Sequence, residues 1–169
     1  MGAMEACEVC HFERDAVTAS DVPVRLRQVA DGFVTLFAGP HGDPHQRPEP
    51  TTWSVMEYCG HVRDCLLNLR DRIILGLAED NPVPKAMFQS VRIDKGIYAE
   101  DLPATMAVEI NVAAGLLAKT VAALDEDQLA RPIYYPYPRE ATRSLLWVAA
   151  QALHEAEHHL HDARTIARR

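Results

Sequence analysis

The amino-acid sequence predicts an all-α fold, a four-helix bundle with at least one long crossover connection. Four segments carry apolar residues every three or four positions, which is the spacing of the buried face of an amphipathic helix. Between these segments no convincing strand pattern is present, and stretches rich in Gly and Pro indicate loops. The 169 residues are enough for a single domain with its own core. Helices without a sheet bury their apolar faces against one another, which favours a bundle.

The predicted helices are separated by loops of unequal length. They cover residues 22–37, 51–77, 103–124 and 142–167. Ser20 or Asp21 is predicted to cap the first helix, and Thr51 or Thr52 the second. Pro103 suits the first turn of the third helix, where a missing backbone N–H breaks no helical hydrogen bond.

Two of the connections are predicted to be irregular. Residues 81–102 form a long crossover with a helical turn near Phe88. Residues 130–140 contain three prolines and three tyrosines, which predicts a stiff aromatic loop rather than a helix. Connections of this length and composition are often functional.

Composition and charge exclude several classes of function. The formal net charge of -7 argues against nucleic-acid binding, which needs concentrated Lys and Arg. No apolar run of about eighteen residues predicts a membrane span, and the N-terminus has no signal-peptide core, so we expect a cytoplasmic protein. The cysteines are then expected to be reduced thiols or metal ligands; they are Cys7, Cys10, Cys59 and Cys65.

A histidine-rich segment, LHEAEHHLHD, stands in the last predicted helix at residues 153–162. His154, His158 and His161 follow one another at i, i+4 and i+7, so they project from one side of a helix. Two imidazoles one turn apart can clamp a divalent metal. The letters H-E-x-x-H also match the zinc-protease motif, with Glu155 as the general base, although little chain remains for the downstream ligand of such proteases.

A third metal ligand is predicted to come from the second helix. His61 lies within its apolar stripe, with Glu57 one turn before and Cys65 one turn after. The competing interpretation treats His61 as a hydrogen-bonded core residue and the later histidines as a solvated helix face.

Together, the segments WSVMEYCGHVRDC and LLWVAAQALHEAEHHLHDA resemble the DinB-like (YfiT-like) superfamily. Its members include mycothiol-dependent maleylpyruvate isomerases and bacillithiol or mycothiol S-transferases. The resemblance spans residues 22–169 and implies an up-down-down-up bundle. It also implies a divalent metal, zinc or nickel, bound by His61, His154 and His158. His159 is then not a ligand, and His161 is either a surface residue or an unusual fourth ligand.

The resemblance also implies a chemistry. A low-molecular-weight thiol, mycothiol or a similar compound, would bind the metal and attack a small electrophilic substrate. Glu57 and Glu155 are candidate proton acceptors, and Arg92, Tyr98 and Tyr135 are expected at the mouth of the site.

Two other functions stay open. The first is a hydrolase that uses metal-activated water with Glu155 as base, and the second is a metal-binding or stress-response protein without catalysis. Pairing of copies into a homodimer through exposed helix faces is also left open, and no residue specifies it.

The ligand assignment makes a direct prediction. Alanine at any of the three assigned histidines should lower the metal content, whereas His159→Ala should not.

The N-terminal extension, residues 1–20, is predicted to be separate from the bundle of residues 21–169. Cys7 and Cys10 have the spacing of a metal knuckle or a redox pair, but no second C-x-x-C completes a four-cysteine site. His11, His41 or His45 could complete a set of two cysteines and two histidines. Otherwise the two thiols have no special role.

Overall fold

The computed structural model describes residues 6–40, 42–137 and 139–168. Four long helices form the bundle, and shorter elements connect them. The long helices are α1 (Asp21–Ala38), α2 (Val55–Ala78), α4 (Pro103–Ala122) and α6 (Leu145–Ala167), the short ones α3 (Gln89–Asp94) and α5 (Glu126–Leu129), and the strands β1 (Pro132–Tyr135) and β2 (Ala141–Ser144). The prediction of four long amphipathic helices is confirmed.

Each long helix packs against two neighbours in the bundle. α1 and α2 lie diagonally opposite, and α4 and α6 fill the other two corners. α1 and α6 run parallel, because Arg25 of α1 pairs with Glu157 of α6 and Gly32, further along α1, contacts Leu160. The shared core includes fully buried Phe33.

The remaining helix directions follow from contacts near the helix ends. Gly76 at the end of α2 meets Leu145 at the start of α6, so these helices are antiparallel. Arg63 near the start of α2 pairs with Glu109 near the start of α4 at 2.5 Å, so α2 and α4 are parallel. Parallel consecutive helices need a connection that returns along the bundle, which explains the long crossover of residues 79–102. The order is up-down-down-up.

The structure differs from the predicted connections in one respect. Within residues 130–140 the chain forms β1, which pairs antiparallel with β2, so the expectation of a loop without strands is wrong. Pro132 occupies the first position of β1 and Pro136 follows its last residue, so neither proline removes a hydrogen bond from the middle of the ladder. The predicted helical turn near Phe88 is α3, which begins at the next residue.

The N-cap residue of α2 differs from the prediction, whereas that of α1 agrees with it. α2 is capped by Ser54 rather than by Thr51 or Thr52, and the Ser54 side chain accepts from the backbone N–H of Glu57. At α1, Ser20 is the N-cap residue but makes no side-chain capping bond.

α4 is the most apolar helix of the bundle. By length and composition it could cross a membrane. Its buried residues Met106, Ile110 and Leu117 instead belong to the core shared with α1 and α2. Packing within the bundle accounts for much of its apolar composition.

Candidate metal centre

Three donor side chains converge where α2 faces α6. His61 projects from α2, and Glu155 and His159 project from successive turns of α6. The Nε2 atom of His61 lies 3.4 Å from Oε2 of Glu155, and Nε2 of His159 lies 3.3 Å from the same oxygen. The three donor atoms all lie within 4.8 Å of one another.

These distances fit a divalent ion. Around tetrahedral zinc with nitrogen and oxygen ligands at about 2.0 to 2.1 Å, neighbouring donor atoms lie about 3.3 Å apart. The observed separations of 3.4 and 3.3 Å match that spacing. Two imidazoles and one carboxylate are also a ligand set used by catalytic zinc, which keeps a further position open.

Neighbouring side chains orient two of the three donors. Asp162 Oδ2 lies 2.9 Å from Nδ1 of His159, which places a proton on Nδ1 and leaves Nε2 to act as a ligand. The Gln151 side-chain amide donates to Oε1 of Glu155 at 2.6 Å, which leaves Oε2 facing the imidazoles. A carboxylate that accepts from the far ring nitrogen raises the basicity of a histidine ligand, and both partners fix the orientation of the groups they contact.

Contacts within the cluster shift the pKa values of Glu155 and His159 so that both side chains stay charged although they are buried. Burial raises the pKa of Glu155, but its close contacts with the imidazoles of His154, His159 and His61 outweigh it and hold this pKa well below the ordinary value. Burial lowers the pKa of His159, but hydrogen bonds with Asp162 and Glu155 raise it to about 9. A proton is therefore held between the His159 imidazole and the carboxylate, and a metal binding there would displace it.

A cavity of about 390 Å³ opens beside the cluster, and all three donors line its wall. The wall is otherwise aromatic and apolar, with a few polar groups; it includes Trp53, Cys65, Asn68, Leu69, Arg72, Met87, Tyr135, Tyr137 and Gln151. Arg72 is only 7% exposed, and its guanidinium lies over the Tyr135 ring at 5.1 Å. Burial raises the pKa of Tyr135 to about 12, so its phenol stays protonated at neutral pH.

The helices that carry this cluster also match a known family. The family model described as the DinB superfamily matches residues 22–163. The chain belongs to the DinB superfamily. Among solved structures it is similar to YfiT from Bacillus subtilis, described as a probable metal-dependent hydrolase with an unusual four-helix bundle topology. The TM-score is 0.80 at 15% identity, covering 99% of this chain and 92% of YfiT. A comparison with curated proteins finds no match.

This DinB superfamily chain holds a second group of donors on the adjacent face of α6. Cys7, Cys10, His154 and His158 place one donor atom each within 4.8 Å of all the others. Burial raises the pKa of Cys7, but hydrogen bonds from the backbone amides of Cys10 and Val9 outweigh it, helped by the His154 side chain, and lower this pKa to about 6. None of these donors lines the 390 Å³ cavity.

The structure therefore groups the predicted ligands differently from the sequence analysis. His61 lies with Glu155 and His159, whereas His154 and His158 lie with the two cysteines. Positions 154 and 155 point about 100° apart on a helix, so only one of the two i, i+4 pairs can face α2. The rotation of α6 directs the pair Glu155 and His159 toward His61. His159, expected to be a bystander, is thus a candidate ligand.

The predicted proton acceptors differ in position. Glu155 lies inside the cluster as a donor atom rather than beside it as a base. Glu57 does not line the cavity; its carboxylate accepts from the backbone N–H of Ser54 at 2.8 Å and pairs with Arg47 at 2.5 Å. It therefore caps α2 and does not face the candidate site.

The residues expected at the mouth of the site also separate. Tyr135 lines the cavity, as predicted, but Arg92 and Tyr98 do not. Both contact Asp64 instead: Arg92 Nε lies 3.0 Å from its carboxylate, and the Tyr98 hydroxyl donates to it at 2.8 Å. They fasten the crossover to α2.

Of the histidines proposed to complete a site with the cysteines, His11 and His45 are exposed and absent from the donor groups of the described residues, and His41 lies outside those residues. His161 is exposed and belongs to no donor group in the described part of the chain.

Sequence reasoning did not single out Arg72 or Gln151 for the site. Arg72 carried a usable signal, since it interrupts the apolar stripe of α2 as a charged residue flanked by Leu69 and Ile73. Gln151 carried a similar one, since it stands one turn before Glu155.

Proposed function

We propose that the chain is a metal-dependent enzyme in which His61, Glu155 and His159 hold a divalent ion, zinc or nickel. A low-molecular-weight thiol is the nucleophile, and a small electrophilic molecule is the substrate. The observation that carries this proposal is the convergence of three donor atoms on the wall of a 390 Å³ cavity. A metal site on such a wall is reached by small molecules, as catalysis requires.

When bound, a divalent ion at this site supplies positive charge and an open position, at which a thiol ionises near neutral pH. The chain's own residues orient the ligands and shape the cavity. Gln151 and Asp162 fix Glu155 and His159, and Trp53 packs its ring against the His61 ring at a centroid distance of 5.3 Å.

The choice of a thiol over water rests on the groups that line the cavity. Glu155 is the one carboxylate among the described lining residues, and it serves as a ligand, so no spare carboxylate stands ready to move protons to and from water. A thiolate needs no such base once it is formed. Hydrolysis is the second candidate because YfiT is described as a probable metal-dependent hydrolase.

Two buried polar atoms, in residues that line the cavity, indicate the chemistry of the substrate. Nε of Arg72 and Oδ1 of Asn68 are buried and have no hydrogen-bond partner among the described residues. Arg72 donates to the Lys85 carbonyl at 2.8 Å but has no carboxylate partner in the described part of the chain. A buried guanidinium without a counterion favours an anionic ligand, so we propose a substrate or thiol that carries a carboxylate.

The proposal can be tested with cobalt in place of the native metal. Adding mycothiol to the cobalt protein should produce new thiolate-to-metal charge transfer above the thiol-free spectrum. His61→Ala and His159→Ala should each lose this increment and one equivalent of bound metal. The exposed His161→Ala, a histidine change on the same helix, is the matched control and should behave as wild type.

Other results would change the functional conclusion. Metal binding without any thiol-induced increment, together with turnover of an ester or amide, would favour the hydrolase. Absence of both thiol exchange and turnover would favour a metal-binding protein without catalysis. Full metal retention in His61→Ala and His159→Ala would contradict the ligand assignment itself.

A further inference from the structure

The N-terminal extension folds back on itself and docks on α6. Ala6 and Glu13 form an antiparallel bridge, and the backbone N–H of Cys7 donates to the Phe12 carbonyl at 3.0 Å. The N–H of His11 closes the turn onto the Cys7 carbonyl at 2.8 Å, with His11 at φ 57. This tight turn holds both C-x-x-C thiols on one small loop, as in metal knuckles.

Docking brings the turn against two imidazoles. Phe12 packs edge-on against the His154 ring at a centroid distance of 5.3 Å. The Cys7 sulfur lies 3.9 Å from Nδ1 of His158. Around tetrahedral zinc, sulfur and nitrogen ligands lie about 3.6 Å apart and two sulfurs about 3.8 Å apart. The four donor atoms, all within 4.8 Å of one another, need only a small contraction to reach that geometry.

We propose that Cys7, Cys10, His154 and His158 form a second metal site, a closed Cys₂His₂ site for structural zinc that fastens the N-terminal extension to the last helix. This proposal does not depend on the proposed enzymatic function, because the two donor groups share no residue. They adjoin through Asp162, whose Oδ2 lies 3.6 Å from Nε2 of His158 and 2.9 Å from Nδ1 of His159.

A buried atom of His154 supports the site independently. His154 is 7% exposed, and its Nε2 has no hydrogen-bond partner among the described residues. Nδ1 lies 3.0 Å from the Arg14 guanidinium, which can only donate, so the single N–H of the ring lies on the unpartnered Nε2. When a metal binds at Nε2, that proton moves to Nδ1, which lies 3.8 Å from Oε1 of Glu155, and the contact between Arg14 and Nδ1 opens.

The chemistry of the four donors indicates which ion binds and whether the site is structural or catalytic. Two thiolates and two imidazoles suit zinc and neutralise its charge, whereas magnesium and calcium prefer oxygen ligands. Four protein ligands leave no open position, and none of them lines the 390 Å³ cavity. A redox pair is less consistent with this geometry, because reactive C-x-x-C pairs sit at a helix N-terminus and these cysteines occupy a turn between bridged residues.

The test is metal stoichiometry in the full-length chain purified under reducing conditions and loaded with zinc or cobalt. The wild type should bind two equivalents, and Cys7→Ser/Cys10→Ser should bind one. The cobalt protein should show thiolate-to-metal charge transfer before any thiol is added. This band should survive in His61→Ala, which loses only the cavity metal, and should vanish in the double cysteine variant.

Two further variants distinguish metal loss caused by removal of a ligand from metal loss caused by disturbance of the core. Cys10 is exposed, so Cys10→Ala removes a ligand without opening the core and should weaken binding at this site alone. Cys59 is fully buried and lies outside the donor groups, so Cys59→Ala removes a thiol but should keep both equivalents. Unchanged zinc content in Cys10→Ala, or a Cys7–Cys10 disulfide that persists in the reduced and zinc-loaded protein, would overturn the proposal.

Discussion

Gly60, directly before the candidate ligand His61, lets the crossover pack close to α2. A Cβ atom at this position would lie 2.5 Å from the Tyr98 ring, far inside van der Waals contact. Tyr98 is 2% exposed and its hydroxyl donates to Asp64 at 2.8 Å, so the ring has no room to retreat. The small residue therefore sets the distance between α2 and the crossover beside the candidate site.

We expect Gly60→Ala to lower the free energy of unfolding by about 1 to 3 kcal/mol, as overpacked cores do. Gly115→Ala is the matched control, because it lies within α4 and a Cβ there meets nothing within 4 Å. Alanine at 115 should raise the free energy of unfolding by up to about 1 kcal/mol through its higher helix propensity. Urea denaturation at fixed metal concentration measures both. Equal effects of the same sign would contradict the packing argument.

The segment H-E-x-x-H-H contains two interleaved pairs of candidate ligands, and the sequence does not show which pair faces α2. His154 with His158 and Glu155 with His159 are each one turn apart. Which pair faces α2 depends on the rotation of α6 about its axis, which is set by packing over the whole helix. A histidine pair is also more conspicuous than a glutamate and histidine pair, so the sequence alone favoured the first.

Among the elements, α2 matters most for the position of His61, and its start is held by a capping box. The Ser54 hydroxyl accepts from the N–H of Glu57 at 3.2 Å, and Glu57 accepts from the N–H of Ser54 at 2.8 Å. Arg47 from the preceding loop donates to both carboxylate oxygens of Glu57. The cap fixes α2 about two turns before His61.

This cap should make stability depend on pH. Burial raises the pKa of Glu57, but hydrogen bonds from Arg47 and Ser54 outweigh it and hold the pKa below the ordinary 4.5. A depressed pKa adds stability that is present above 4.5 and is lost as the pH falls through the lower, folded-state pKa. Glu57→Gln keeps the carbonyl acceptor but not the charge, so it should be less stable than wild type at pH 7 and approach it in acid.

The comparison requires unfolding free energies at several pH values between 7 and 3. Glu49→Gln, an exposed carboxylate on the preceding loop, is the control and should show little difference at any pH. A constant gap between wild type and Glu57→Gln over this range would refute the electrostatic explanation and leave a purely steric one.

Helix positions were predictable from periodicity, whereas caps and the hairpin were not. Thr51, Thr52 and Ser54 are all good N-cap residues, and only the tertiary position of the preceding loop selects Ser54. The segment of β1 reads as a loop because its prolines flank the ladder, and strand pairing with β2 depends on a partner that follows after the turn.

Across the whole molecule, α6 carries donors on two faces and a short chain of hydrogen bonds connects them. Arg14 of the N-terminal extension donates to the Gln151 side-chain oxygen, and the Gln151 amide donates to Glu155. The N-terminal extension, which brings Cys7 and Cys10 close to His154, thus also contacts Gln151, the residue that orients Glu155 in the cavity cluster.

The two sites should also release their metals at different rates. The proposed cavity site would have three protein ligands and an open position, whereas the proposed second site would have four ligands, none of which lines the 390 Å³ cavity. In a timed chelation of the zinc-loaded protein, one equivalent should leave first, together with the thiol-induced spectral increment measured on a parallel cobalt sample.

The melting temperature should fall further when the second equivalent leaves, because that metal joins the extension to the bundle and its binding energy stabilises the fold. Mass spectrometry of bound metal and circular dichroism follow the two steps. The Cys7→Ser/Cys10→Ser protein should show the first step alone, and simultaneous release of both equivalents from the wild type would mean that the donors form one coupled centre.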